Sequence, residues 1–290
     1  MSEWPLVAFT LLVQSSAGMV IFVALFFCYL EKAPGNPRAV PAMKPVLLIA
    51  AILGCFGLLA STLHMGYPWN AFHALRHIST SWLSREVVFA ALYLGALCLY
   101  TLYVLITGRM NRTITALIGL LGLIDIYCMA SLYYNTAMMT WMHINTYILF
   151  FCAVFAAGGA LALGLTAVRV KSLIDGTTAV RITGAALALI FVAVAVRMTA
   201  QPFFTEWLYT AAQNSDSVTY PHLPLVAYGS TYILRIVAGA LSVSGILFTG
   251  LSLLRMRSAV LSNGMPLILL GSLLIFSGEI LSRFAFFIVG

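Results

Sequence analysis

Two titratable residues, His64 and Glu86, fall at facing ends of neighbouring apolar segments in a protein with few charges. His64 opens the sequence His64-Met65-Gly66-Tyr67-Pro68, in which glycine and proline end a helix. Glu86 follows Ser84, a candidate helix N-cap, at the start of the next segment. An imidazole titrates near neutral pH and a carboxylate accepts protons. The pair therefore predicts proton transfer at a membrane boundary.

This chemistry suits a lipid quinol, which releases two electrons and two protons when it is oxidised. The quinol ring must stop where its hydroxyls reach proton acceptors, while its tail stays in lipid. His64 and Glu86 meet that requirement. A structural alternative remains open at this point, in which Glu86 is a first-turn acid favoured by the helix dipole and His64 is an interfacial histidine.

Charged residues also lie inside the apolar segments, where they are costly and often functional. Glu279 and Arg283 stand at i and i+4, a spacing that predicts an ion pair along one helix. Asp125 has no evident partner within its own segment, and Arg197 or Arg235 is a candidate partner from another helix. These charges favour an alternative function, a proton-coupled transporter with a central pathway through Asp125, Arg197, Arg235 and Glu279.

The composition excludes a soluble protein. The 290 residues are 62% hydrophobic and 8% charged, whereas ordinary globular proteins are roughly 25% charged. A bilayer core of about 30 Å requires about 20 apolar residues per helix. The apolar runs predict an all-α integral membrane protein, one polytopic domain over residues 1–290. Its eight spans are predicted at about residues 5–30, 45–63, 86–107, 114–134, 143–168, 182–200, 225–254 and 265–289.

Basic residues alternate between the connections. The odd-numbered connections hold ten of the 15 Lys and Arg residues, so the positive-inside rule predicts both termini outside. All five Trp and all five His residues fall on the predicted outer side. The longer connections, 64–85 and 201–224, are also outer and each follows the second span of a half, which favours two four-helix halves.

The sequence offers no pattern for a resident metal cofactor. A membrane cytochrome b would need paired histidines inside the bilayer, and no predicted span carries a histidine near its middle. The five cysteines are single and form no Cys-x-x-Cys. We therefore predict no haem, iron–sulfur cluster or metal in this protein. The net charge of +7 is explained by membrane topology, and no nucleic-acid partner is predicted.

Motifs from one end of the sequence to the other resemble the membrane-anchor subunit of the dimethyl sulfoxide reductase type. The length and the eight predicted spans agree with that resemblance. The matching motifs are Glu3-Trp4-Pro5-Leu6 with Phe9, Leu63-His64-x-Gly66-x-Pro68-x-x-Ala71-Phe72, Leu83-Ser84-x-Glu86, Tyr134-Asn135, Arg235-Ile236-Val237 and Gly278-Glu279-x-x-x-Arg283-x-x-Phe286.

The resemblance implies an integral anchor in a bacterial inner membrane with both termini periplasmic. Such an anchor holds a molybdopterin catalytic subunit and an iron–sulfur subunit, and it oxidises menaquinol near the periplasmic face. The resemblance assigns His64 and Glu86 to quinol oxidation. The remaining matched positions are expected to help bind the quinol, and they are Gly66, Pro68, Phe72, Ser84, Arg235, Glu279 and Arg283.

One position departs from the family pattern. The sequence has Asn70 where the resemblance leads us to expect an arginine before Ala71-Phe72, and Arg76 is a candidate substitute. A purely structural anchor, with quinol oxidised elsewhere in the complex, is a third hypothesis that the sequence leaves open.

Overall fold

The structure is a computed structural model that describes residues 4–31, 39–64, 75–173, 176–213, 220–257 and 261–289. Within these ranges the protein forms nine α-helices and a short 3₁₀ turn at Leu75–His77. The helices are α1 Trp4–Glu31, α2 Ala39–His64, α3 Trp82–Thr107, α4 Arg112–Tyr134, α5 Asn145–Leu173, α6 Gly176–Gln213, α7 Pro224–Ser230, α8 Tyr232–Arg257 and α9 Leu261–Phe287.

Eight helices, all except α7, are long and apolar enough to cross a membrane. The predicted all-α fold with eight spans is therefore confirmed. Several helix bounds differ from the predicted spans, and α2, α3 and α6 each begin four to six residues earlier than predicted. Helix α6 continues 13 residues beyond residue 200, to Gln213, because Gln, Thr and Glu lower hydropathy without ending a helix. The predicted seventh span divides at Thr231 into α7 and α8.

The helices pack as two four-helix rings. In the first ring α1 contacts α2 and α4, and α3 closes the ring against the same two helices. In the second ring α5 contacts α6 and α9, and α8 closes it. This packing agrees with the predicted two four-helix halves. The rings meet mainly through α1 and α5, the two most buried spans.

Glycines make this central contact possible. A Cβ atom on Gly18 would meet the carbonyl oxygen of Val154, and one on Gly158 would lie 2.8 Å from the backbone nitrogen of Met19. Neither backbone can retreat without moving its helix. Close approach at small residues is a common basis of helix association in membranes, where lipid offers no hydrophobic drive between helices.

The two ends of the bundle differ in composition. Four tryptophans lie where α1 and α3 begin, between α4 and α5, and near the end of α6, and we call this the tryptophan end. Arg109, Arg112, Arg181 and Arg255 lie at the opposite end, the basic end. Which end faces outside remains a prediction from the charge pattern.

We expect Gly158→Leu to lower the free energy of unfolding in detergent by at least about 2 kcal/mol, because overpacking forces helices apart. Gly95→Leu is the matched control, since a Cβ atom there would meet nothing within 4 Å. Thermal unfolding of the purified protein measures the difference. Equal melting temperatures for the two variants would contradict a close α1–α5 contact.

Candidate functional site

Helix α3 begins earlier than predicted, which changes the environment of Glu86. Its N-cap is Ser81, whose side chain accepts a hydrogen bond from the Ser84 N–H at 3.4 Å. The prediction of Ser84 as the N-cap is therefore wrong, and Ser84 is a buried residue inside the first turn. Glu86 lies in the second turn, beyond the free N–H groups that favour an acid at a helix start.

Glu86 is buried. Its relative exposure is 3%, and its Oε2 atom has no hydrogen-bond partner among the described residues. A glutamate kept only as a first-turn acid would lie in the first turn, where the free N–H groups are. The structural alternative for Glu86 therefore loses its basis, and the buried carboxyl needs another explanation.

Asp125 is a second unpartnered acid in the same ring. Its exposure is 0%, and neither carboxyl oxygen has a partner among the described residues. It lies within electrostatic range of Glu86 and of Tyr93. The expected partners Arg197 and Arg235 lie in the second ring, so that pairing is wrong.

A pair of hydrogen bonds fixes the wall beside Asp125. The Ser16 hydroxyl donates to the Ala50 carbonyl at 2.7 Å, which uses its single hydrogen. Tyr93 therefore donates to the Ser16 oxygen, also at 2.7 Å. These two bonds connect α1, α2 and α3, so the helices that carry Glu86 and His64 are held against the central helix α1.

His64 is the last residue of α2, so its backbone lies at the tryptophan end, as Glu86 does. Glu86 is 21 residues from Thr107, the last residue of α3 at the basic end, a rise of about 31 Å that matches the hydrocarbon thickness of about 30 Å. It therefore lies near the membrane boundary. Gly66, Pro68, Asn70 and Phe72 lie outside the described residues.

Glu279 is paired across helices. Its Oε1 accepts a hydrogen bond from Arg197 Nη1 at 2.5 Å, and both side chains are buried. Arg197 Nη2 also donates to Ser242 at 3.2 Å. The predicted pair within α9 is wrong, because the ion pair of Glu279 joins α9 to α6 and not to Arg283.

Arg283 joins the two rings. It donates through Nη2 to Gln14 Oε1 of α1 at 2.5 Å, and its guanidinium lies 4.3 Å from the centre of the Phe150 ring. Arg235 lies at the start of α8, with its guanidinium 3.5 Å from the centre of the Tyr228 ring. Neither arginine touches Glu86, so Arg235, Glu279 and Arg283 are not brought together with the Glu86 carboxyl.

The transporter hypothesis required one pathway through four charged residues. Asp125 lies in the first ring, whereas Arg197, Arg235 and Glu279 lie in the second. Arg197 and Glu279 are also bound to each other in an ion pair. The four residues therefore do not line a common route in the structure.

Within the described part of the protein, no three His, Cys, Asp or Glu residues converge as metal ligands do. Glu86 and Asp125 lie within electrostatic range of each other, and no described residue forms an ion pair with either carboxyl. Sequence inspection missed their proximity, because counting along α3 and α4 places Asp125 deeper in the membrane. Glu86 and Asp125 lie on consecutive helices, α3 and α4, and this hairpin was the available sequence signal of their proximity.

Almost the entire sequence matches one protein family. Residues 1–289 match the family described as DMSO reductase anchor subunit (DmsC). The chain belongs to this family. The resemblance found in the motifs is therefore confirmed, and the protein is a multi-pass membrane protein of the anchor-subunit type.

Curated relatives agree with this assignment. The sequence is 27% identical over 289 residues to the anaerobic dimethyl sulfoxide reductase subunit YnfH of Escherichia coli (strain K12), covering 98% of this protein and 94% of that one. It is 27% identical over 293 residues to the C subunit of the same organism's anaerobic dimethyl sulfoxide reductase, with the same coverage. The C subunit of the Haemophilus influenzae anaerobic dimethyl sulfoxide reductase is 31% identical over 169 residues, which is 58% of that protein and 56% of this anchor-family protein.

Glu279→Leu should destabilise this anchor-family protein by about 3 kcal/mol or more, because it leaves a buried, unpaired guanidinium at Arg197. Replacing both partners, Arg197→Met with Glu279→Leu, should recover most of that loss. Unfolding in mixed detergent micelles measures both effects, and Glu206→Leu on exposed helix surface is the control. A double variant as unstable as the single one would argue against the ion pair.

Proposed function

We propose that the protein is a quinol-oxidising membrane anchor, with the quinol held at the tryptophan end between α2 and α3. The observation that carries this proposal is Glu86, a buried carboxyl near the membrane boundary with an unpartnered Oε2 atom. A buried carboxylate without a donor or a cation is strongly destabilised. Proton uptake from a bound substrate relieves that cost, which makes Glu86 a suitable acceptor.

The proposed reaction breaks two O–H bonds of a menaquinol. One proton passes to His64 and one to Glu86, and the ring becomes the quinone. The two electrons leave to an iron–sulfur cluster of a partner subunit, since this protein is proposed to hold no redox centre. Asp125 supports the reaction as a second acid within electrostatic range of Glu86, because protonation of either carboxyl removes the repulsion between two carboxylates.

An apolar groove between α2 and α3 supports this location. Its volume is about 340 Å³, and it is lined by residues that include Leu48, Phe56, Leu59, Cys98 and Leu105. The groove lies on the two helices that carry His64 and Glu86, farther into the membrane than either residue. In this proposal the isoprenoid tail lies in the groove while the quinol ring stays at the membrane boundary.

The proposed partners follow from the family. An anchor subunit of a DMSO reductase holds a catalytic subunit and an electron-transfer subunit, and we propose a molybdopterin enzyme and an iron–sulfur protein for these roles. We place both on the periplasmic side of a bacterial inner membrane, against the tryptophan end. Because protons are released and the substrate is reduced on the same side in this proposal, each turnover would move little net charge across the membrane.

Glu86→Gln should lower menaquinol-dependent turnover of the assembled complex by at least about a hundredfold, since a positioned proton acceptor typically contributes that much or more. Gln keeps the shape of the side chain but does not accept the proton. The rate of oxidation of a reduced menaquinol analogue by membranes that contain the complex is the measurement.

Two comparisons make this test specific. A reduced viologen dye donates directly to the partner subunits, so its activity should be unchanged if the complex is assembled. Glu206→Gln makes the same substitution on exposed surface at the same end and should leave the rate of quinol oxidation unchanged. Wild-type quinol oxidation by Glu86→Gln, with quinol-analogue binding absent from the wild-type protein, would favour the purely structural anchor.

A further inference from the structure

A second cavity lies in the other ring, between α6 and α8. Its volume is about 520 Å³. One wall is polar and carries Arg197, Gln201, Tyr228 and Arg235. The lining also includes Met198 and Ile236, whose side chains are exposed on the flank of the bundle. The cavity therefore combines a mainly apolar lining with a few polar side chains, beside residues that are exposed on the flank of the bundle.

Arg235 is the group in this cavity that lacks a counter-charge. Its Nε donates to Thr231 at 2.9 Å and one Nη donates to the Ala285 carbonyl at 3.3 Å. Among the described residues, no carboxylate forms an ion pair with it. These neutral acceptors orient the guanidinium but leave its charge uncompensated.

The surrounding helices share this excess of positive charge. On the tryptophan-end halves of α6, α8 and α9, the charged residues are Arg197, Arg235, Arg283, Glu206 and Glu279, and Glu206 lies on exposed helix surface. The Glu279 carboxylate already forms an ion pair with Arg197. Three arginines and two glutamates leave one net positive charge, and Arg235 forms no ion pair among the described residues, which favours an anionic ligand.

The depth of Arg235 identifies the kind of anion. Arg235 and Arg255 lie 20 residues apart on α8, which corresponds to about 30 Å, the thickness of the hydrocarbon core. Arg255 lies at the basic end, so Arg235 lies at the opposite membrane boundary. Phospholipid phosphates lie at that level, directly beyond the acyl chains.

We propose that this cavity binds an acidic phospholipid. Arg235 donates to the phosphate, and the acyl tails run along the exposed apolar wall formed by Met198 and Ile236. Gln201 does not compete for the phosphate, because its Oε1 accepts from the Tyr228 hydroxyl at 2.6 Å and its Nε2 donates to Asn145 at 3.3 Å. The site is separate from Glu86, which lies in the first ring.

The lining argues against quinol oxidation in this cavity. No Asp, Glu or His is among its described lining residues, so a quinol would find no carboxylate or imidazole there to take its two protons. The Arg235 guanidinium suits a phosphate, because it carries only donors and the phosphate oxygens are all acceptors. The position of Arg235 in the family motif is then explained by lipid binding and not by quinol chemistry.

The test uses the full-length protein purified in mild detergent and native mass spectrometry with added lipid. Phosphatidylglycerol should bind more tightly than phosphatidylcholine with the same acyl tails. Arg235→Gln should weaken phosphatidylglycerol binding by about tenfold or more, the loss expected for a charge-assisted hydrogen bond. Arg235→Lys, which keeps the charge, should lose less.

Arg109→Gln removes an exposed arginine at the basic end and is the matched control. Equal loss in Arg109→Gln and Arg235→Gln would overturn the proposal, and so would equal binding of the two lipids. A menaquinone analogue whose binding depends on Arg235, while phosphatidylglycerol binding does not, would also overturn it and assign the cavity to quinone. Melting temperatures of all variants show which of them remain folded.

Discussion

The lack of water in the bilayer interior is the constraint on which this structure depends. A polar group inside the hydrocarbon must find a partner within the protein, because lipid offers none. Several buried polar groups satisfy this requirement across helices. Arg197 pairs with Glu279, Arg283 binds Gln14, and Tyr93 binds Ser16. These contacts connect α6 to α9, α9 to α1, and α3 to α1.

Glu86 and Asp125 are exceptions to this pattern, since three of their carboxyl oxygens are buried without a partner among the described residues. An isolated buried carboxyl is destabilising, and under the proposed function proton uptake from the quinol offsets that cost at Glu86. The two rings thus differ in character. The first ring holds carboxyls without a partner among the described residues, which suits the proposed proton removal. The second ring holds the Arg235 guanidinium, which has no ion-pair partner among the described residues and suits the proposed anionic lipid.

Family membership and geometry support different parts of this account. The match over residues 1–289 establishes a DMSO reductase anchor subunit, and it does so without reference to any cavity or charge pair. The geometry then separates residues that the family motifs had grouped together. Glu86 remains a candidate for quinol chemistry, whereas Arg197 and Glu279 form a structural pair and Arg235 belongs to another cavity.

The sequence by itself determined the class of protein. Apolar runs are set by the thickness of the bilayer, so eight spans could be counted from composition and length alone. Local motifs also located Glu86 and His64 at one end of neighbouring helices. Helix ends were less certain. Hydropathy marks where hydrocarbon ends and not where a helix ends, so the extension of α6 to Gln213 was missed.

Only the tertiary structure decided which charges meet. Spacing along one helix suggested that Glu279 pairs with Arg283, but the rotation and tilt of α6 bring Arg197 to Glu279 instead. The same packing leaves Asp125 near Glu86 and far from any arginine that the sequence offered as its partner. A linear sequence records how far a residue lies along its own helix. Which neighbour that residue faces depends on how close the helices approach, and here glycines such as Gly18 and Gly158 set that approach.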